Sequence, residues 1–230
     1  MLFDKDGTLI DFQKSWGPVM GIVAAEIAGD DPALAEHLLA LGGHDPATGR
    51  TAPGSLLAAG TAVEIAAAWG PAAGHDDLAE LARRIDAGFR RHGPRHATPV
   101  PALRATLEAL RAAGLPLGLA TSDSHGAAID GLAALDIAHL FDFVAGFDSG
   151  HGSKPGPGMV LAFAAAVGVP PEAIAVVGDN THDLQMARAA GAGLRIGVLT
   201  GTGRPLDLAP LAHHVLDGLA ALPALLLARD

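Results

Sequence analysis

The sequence predicts an α/β fold: a doubly wound, Rossmann-like parallel sheet with an all-helical cap inserted between the first and second core strands. Three observations lead there. From Thr106 onward, short apolar segments alternate with helical patterns of about ten residues, as expected for strands covered on both faces. From Trp16 to Arg91 the periodicity is helical throughout, interrupted only by Gly, Pro and Asp breakers. The chain also opens on an apolar segment, Met1–Phe3, which makes the helical block an insertion behind a first strand. The core is therefore expected to comprise residues 1–13 and 94–230, and the cap residues 14–93.

Each element follows in order. Residues 1–3 read as the first strand, ended by the polar turn Asp4-Lys5-Asp6-Gly7-Thr8. Four cap helices are expected over 17–29, 32–43, 54–70 and 76–93, with no strand between them. After Pro99–Leu103 come helix 106–113, strand 115–120, helix 126–135, strand 141–145, helix 157–167, strand 173–177, helix 183–190 and strand 195–199. Residues 213–228 close with a short strand or turn at Val215 and a last helix. Three residues make a short central strand, so the recorded start is expected to omit a few native residues.

Composition narrows the function. Half of the 230 residues are apolar, enough for a sizeable core. Without cysteine there is no disulfide framework, thiol nucleophile or cysteine-bound metal. A formal charge of −10 argues against nucleic acid as a partner, and the short basic run Arg90–His96 contains no aromatic residue for base stacking. The Ala/Leu-rich run 218–228 is too short to cross a bilayer, and acids begin at position 4. A cytoplasmic chain without membrane association is expected, as a monomer or homodimer.

Ligands of open parallel sheets bind beyond the carboxyl ends of the strands. Those ends carry Asp4 and Asp6 after the first strand, Thr121, Ser122 and Asp123 after the second, and Asp179 and Asp183 after the 173–177 strand. Lys154 stands in a loop ahead of a helix. Clustered carboxylates need a cation, and an all-oxygen set suits Mg²⁺ shared with phosphate oxygens. Lys154 adds positive charge, and Thr121 can hold a phosphate oxygen. The pattern points to phosphoryl transfer: Asp4 as nucleophile, and Asp6 binding metal through its carbonyl while its side chain serves as acid and base. Gly7 and Thr8 turn the backbone beneath the substrate. Lys5, between the two acids, has no chemical role and is expected to point away.

Other chemistries find no support. The segment after Asp4 lacks the alternating acids and terminal Glu of a calcium loop. Gly201–Leu206 lacks the third glycine of a dinucleotide fingerprint, and neither a P-loop nor a G-x-S-x-G elbow occurs. The eleven histidines, including His44, His75, His182 and His213, do not follow zinc-site spacings and are read as surface or capping residues, with His182, between Asp179 and Asp183, also placed to touch the metal network without being a ligand. Thr121 and Ser122 can also cap the helix that follows them.

"DKDGT", Thr121, "SKPGPG" and "GDNTHD" occur in the order of the four motifs of the haloacid dehalogenase-like phosphohydrolases, and the chain resembles the phosphoglycolate phosphatase and β-phosphoglucomutase branch. The resemblance implies Asp4 as nucleophile, Asp6 as general acid/base, Thr121 and Lys154 as phosphate-site residues, Asp179 as a metal ligand and Asp183 as a further acid of the metal site. It implies hydrolysis of a small phosphorylated metabolite, with 2-phosphoglycolate the first candidate. Sugar-phosphate mutation is the alternative, and a non-catalytic phosphate-ligand binding protein a weaker one. Asp6 argues against dehalogenation. Phe12 and Trp16 occupy the positions where the mutase carries a Thr and a His, which favours hydrolysis. Phe12, Lys14 and Trp16 are candidate substrate contacts, and an arginine of the 90–96 run is an alternative one.

Overall fold

Leu2 and Phe3 are fully buried and form strand β1 (Leu2–Phe3). A computed structural model describes residues 1–29 and 31–227 of the chain. After β1 the insertion runs through α1 (Phe12–Ala28), α2 (Pro32–Leu41), the strands β2 (His44–Asp45) and β3 (Arg50–Thr51), α3 (Leu56–Ala59), α4 (Ala62–Ala73) and α5 (Leu78–His96). The expected junctions at 14 and 94 thus fall in the first turn of α1 and the last turn of α5. Side-chain caps set the starts: Asp11, Asp31 and Asp77 accept from first-turn N–H groups, and Thr61 with Glu64 forms a reciprocal capping box.

Two expectations for the insertion need correction. The single helix over 54–70 is split, because Gly60 is extended and the Thr61 box starts a new helix. A strand pair also interrupts the helices: Asp45 accepts from Ala47 N and Thr48 Oγ1, folding a turn that pairs β2 with β3. That hairpin buries His44, whose Nδ1 lies 2.9 Å from Thr51 Oγ1. His44 is a core residue of the insertion rather than a surface one.

The core continues with α6 (Leu103–Ala112), β4 (Gly118–Ala120), α7 (His125–Ala134), β5 (Phe143–Ala145), α8 (Gly158–Val167), β6 (Ala175–Gly178), α9 (Thr181–Ala189), β7 (Leu194–Val198), α10 (Pro205–Leu208), β8 (His214–Leu216) and α11 (Leu222–Leu227). Ala228, the expected end of the last helix, lies outside the described residues. The six core strands pair in the order β5-β4-β1-β6-β7-β8, all parallel. Leu2 pairs with Gly118 on one side and Val176 on the other, so β1 is central despite its two residues.

Strand side chains feed two apolar layers. Phe3, Leu119, Val177 and Ile196 pack with Leu107 and Leu110 of α6 and Leu132 of α7. Leu2, Ala120 and Val176 pack with Met159 and Phe163 of α8 and Met186 of α9. A third cluster holds the insertion together through Val23, Leu38, Ile65, Trp69 and Ile85. Burying such side chains contributes roughly 1.5–3 kcal/mol each. The strand order turns back on itself at β1 and β6, which opens the crevice where this sheet type binds ligands. Among the described residues no helix is long and apolar enough to cross a membrane.

Candidate active site

Asp4 leaves the end of β1 with its backbone N–H still donating to Val177 O at 2.9 Å, so the sheet fixes its direction. Lys154 Nζ, from the loop between β5 and α8, donates to Asp4 Oδ1 and Asp183 Oδ1, both at 2.6 Å. Asp183 is held by the helix it helps to start: its Oδ2 accepts from Asn180 N at 3.0 Å in the capping box of α9. Asp179, at the end of β6, accepts from Thr202 N at 2.7 Å through Oδ2. Gly7 makes this assembly possible, since its φ of 96° is open to glycine and a Cβ there would lie 2.6 Å from Asp179 Cγ.

Asp6 follows a different path. Its Oδ1 accepts from Trp16 Nε1 at 2.5 Å, and its Oδ2 lies 3.3 Å from Lys5 Nζ. Lys5 also donates to Asp123 Oδ2 at 2.5 Å and stands 5.2 Å from the Trp16 ring centre. Lys5 does turn away from Asp4, but it is buried and joins Asp6, Asp123 and Trp16, a role that strand alternation alone does not reveal. Asp123 is correspondingly the ion-pair partner of Lys5.

The electrostatics follow from burial. Burial pushes the Asp4 carboxyl up to about 6 against the pull of Lys154. Burial likewise carries Asp6 up to about 7, with Lys5 opposing. Asp179 rises well above the ordinary carboxylate range through burial, reinforced by Asp4 and Asp183. Burial tends to lower Lys154, but Asp183 and Asp4 outweigh it and hold the ammonium above its ordinary value.

Asp4, Asp179 and Asp183 each offer a carboxylate oxygen, and these atoms lie within 4.8 Å of one another. Asp4 Oδ2 is buried without a hydrogen-bond partner. Three convergent carboxylates, with an unpartnered oxygen on Asp4, fit a hard divalent cation that this trio can coordinate. A thermal-shift prediction follows. In metal-free protein the raised carboxyls keep protons that the unfolded chain loses above 3.8. Their contribution to stability therefore falls as pH rises from about 4 to about 7. Mg²⁺ is expected to raise the midpoint over that in EDTA by on the order of 5 °C at pH 8, with the gap closing toward pH 5. A gap independent of pH counts against the trio as the metal site.

The crevice above these groups has a volume of about 60 Å³ and is lined by Asp4, Asp6, Thr121, Ser122, Lys154, Asp179 and Asp183, together with Phe12 and Trp16. Gly7 and Thr8 lie beneath it: their amides bond to Ile10 O and Lys5 O within the turn, so they are not presented as phosphate donors. Ser124, not Thr121 or Ser122, caps α7, and Thr121 Oγ1 accepts from Asp123 N at 3.2 Å. Lys14 is exposed and pairs with Asp11. Arg90 pairs with Asp130 and Arg91 with Glu26, so the basic run does not reach the crevice. His182 lines it, pushed below its ordinary value by burial and by Lys154.

Thr200 and Thr202 escaped the sequence reading. Thr200 Oγ1 donates to Gly7 O at 2.6 Å, while Thr202 N holds Asp179. Their signal was the Thr200-Gly201-Thr202-Gly203 segment at the end of β7, the same edge as the acids.

The description of haloacid dehalogenase-like hydrolases matches residues 1–191. The chain belongs to this family. It is 38% identical over 128 residues to the phosphoglycolate phosphatase of Escherichia coli strain K12, a match covering 54% of this chain and 50% of the relative. The chain thus spans about half the length of the curated relatives it matches. In fold it resembles CbbY from Rhodobacter sphaeroides, solved in complex with phosphate, with a TM-score of 0.71 and 20% identity over 96% of this chain and 94% of the other. It also resembles a Thermotoga maritima protein provisionally named β-phosphoglucomutase, with a TM-score of 0.70 and 21% identity over 98% and 96%. At these identities the structural likeness establishes the fold alone.

Proposed function

We propose that this family member is a Mg²⁺-dependent phosphomonoesterase that works through an aspartyl-phosphate intermediate. One observation carries the reading: Asp4 presents a buried carboxylate with one oxygen on Lys154 and the other without a partner, beside Asp179 and Asp183. In this reading residues 1–13 and 94–230 handle the phosphoryl group, and residues 14–93 cover the leaving group. When bound by Asp4, Asp179, Asp183 and the Asp6 carbonyl, Mg²⁺ supplies charge neutralisation for the carboxylates and the phosphoryl oxygens.

Asp4 attacks phosphorus with a carboxylate oxygen while the ester oxygen departs with the proton of Asp6. The Asp6 carboxylate then takes a proton from water, and the resulting hydroxide displaces Asp4 and releases inorganic phosphate. A carboxyl near 7 suits both halves of this cycle. Lys154 holds Asp4 and balances transferred charge, and Thr121 with Ser122 receives phosphoryl oxygens.

Trp16 aims Asp6. Trp16→Phe keeps an aromatic ring against Phe89, now 5.4 Å away edge to face, but removes the indole donor. It is expected to lower kcat by roughly 10–100-fold with KM nearly unchanged, as steady-state kinetics will show. An unchanged kcat removes Trp16 from this role.

The name of the Escherichia coli relative puts 2-phosphoglycolate first among substrates to try. The deciding assay measures phosphate release from phosphoglycolate, alkyl phosphates, sugar phosphates and nucleotides, with and without Mg²⁺. Metal-dependent release supports the hydrolase. Phosphate reappearing on a second hydroxyl points to a mutase, and binding without release to a phosphate-ligand protein.

A further inference from the structure

Resting on the phosphomonoesterase reading, a second conclusion concerns the leaving group. The crevice has unlike ends. Its core end is acidic and holds one cation, Lys154, already bonded to Asp4 and Asp183. Its cap end is walled by Phe12, Trp16, Met20, Leu57, Ile65 and Phe89, every one of them buried.

That cap wall offers nothing to a second anion. The Trp16 indole N–H is engaged by Asp6. The rest of the wall runs along the chain from Leu57 to Gly60, and each amide there already has a carbonyl: Leu57 N donates to Gly42 O, Ala58 N and Ala59 N to Ser55 O, and Gly60 N to Leu56 O. Lys5 is paired with Asp6 and Asp123 and does not line the crevice. Arg90 is paired with Asp130. Among the described residues, five aspartates line the crevice, Asp4, Asp6, Asp123, Asp179 and Asp183, against Lys154 as the one Lys or Arg.

A carboxylate on the leaving group would be desolvated against aromatic and aliphatic carbon with no donor from the cap, because the remaining polar groups of the lining, Thr121, Ser122, Asn180 and His182 with its unpartnered Nδ1, all belong to the core. An apolar chain in the same place gains burial instead. The space is small: about 60 Å³ holds only a few water-sized groups. We propose that this crevice selects phosphate esters of short, uncharged, apolar alcohols over esters of hydroxy acids such as 2-phosphoglycolate.

The test compares n-propyl phosphate with 2-phosphoglycolate on the wild-type chain with Mg²⁺. The expected kcat/KM ratio is on the order of tenfold or more in favour of the propyl ester. In parallel, calorimetry compares two non-hydrolysable ligands, propylphosphonate and 3-phosphonopropionate, and the propyl compound is expected to bind more tightly. Ala59→Arg, which brings a guanidinium to the cap end, is expected to reverse both preferences. Equal or better turnover of 2-phosphoglycolate overturns this selectivity and leaves the hydrolase reading standing. If no ester is hydrolysed, that reading fails, and the phosphonates still decide the selectivity. Tighter binding of propylphosphonate upholds it; tighter binding of 3-phosphonopropionate, or of neither, overturns it.

Discussion

Asp4→Asn is expected to remove essentially all phosphate release, lowering kcat by at least ~10⁴-fold. The substitution conserves volume and leaves β1 and its bond to Val177 O in place. What it removes is the ionised oxygen proposed to attack phosphorus, and an amide cannot form the acyl phosphate. Stability separates this loss from misfolding. Burial raises Asp4 to about 6, so its charge is a liability in metal-free protein at neutral pH. The variant is therefore expected to melt in EDTA no lower than wild type, while gaining less from Mg²⁺ because one of three convergent carboxylates has gone. Phosphate release followed alongside circular-dichroism melting checks both points. Residual release above a tenth of wild type would show that another group attacks phosphorus.

The architecture was legible because its determinants are local or periodic. Alternating apolar runs and helix patterns located five of the six core strands, with ends displaced by a few residues, since strand termini depend on pairing partners distant in sequence, and left the sixth as a strand or turn at Val215. The β2–β3 hairpin was not legible: it rests on two residues per strand and the side-chain turn at Asp45, too short for any periodic signal. In the site, the strand-end rule brought Asp4, Asp179, Asp183, Lys154 and Thr121 to one crevice. It could not reveal that Lys5 reaches 118 positions along the chain to Asp123. Nor could it show that the amides of Gly7 and Thr8 close their own turn. Side-chain direction at a strand end is set by the loop that follows, and that geometry exists only once the sheet has assembled.

The second large effect belongs to Lys154. Its side chain is 3% exposed and its ammonium bridges Asp4 and Asp183, themselves 10% and 3% exposed. Lys154→Met keeps an unbranched apolar stem, one atom shorter for want of the ammonium, and leaves two buried carboxylates without their shared cation. Breaking a buried pair by removing one partner costs about 3–5 kcal/mol, so the midpoint in EDTA is expected to fall on the order of 10 °C. Mg²⁺ should recover part of that loss, because it can neutralise the same oxygens, yet it should not restore turnover, since nothing then fixes Asp4 Oδ1 or balances the transferred charge. Activity is expected to drop by roughly 10³-fold or more. Adding Asp183→Asn removes one of the two charges left unbalanced. The double variant should melt above Lys154→Met in EDTA, with a coupling of about 1–3 kcal/mol between the sites. Additive melting shifts would mean that Lys154 supports the fold through packing rather than through its charge, and would detach it from the carboxylates on which the proposed chemistry depends.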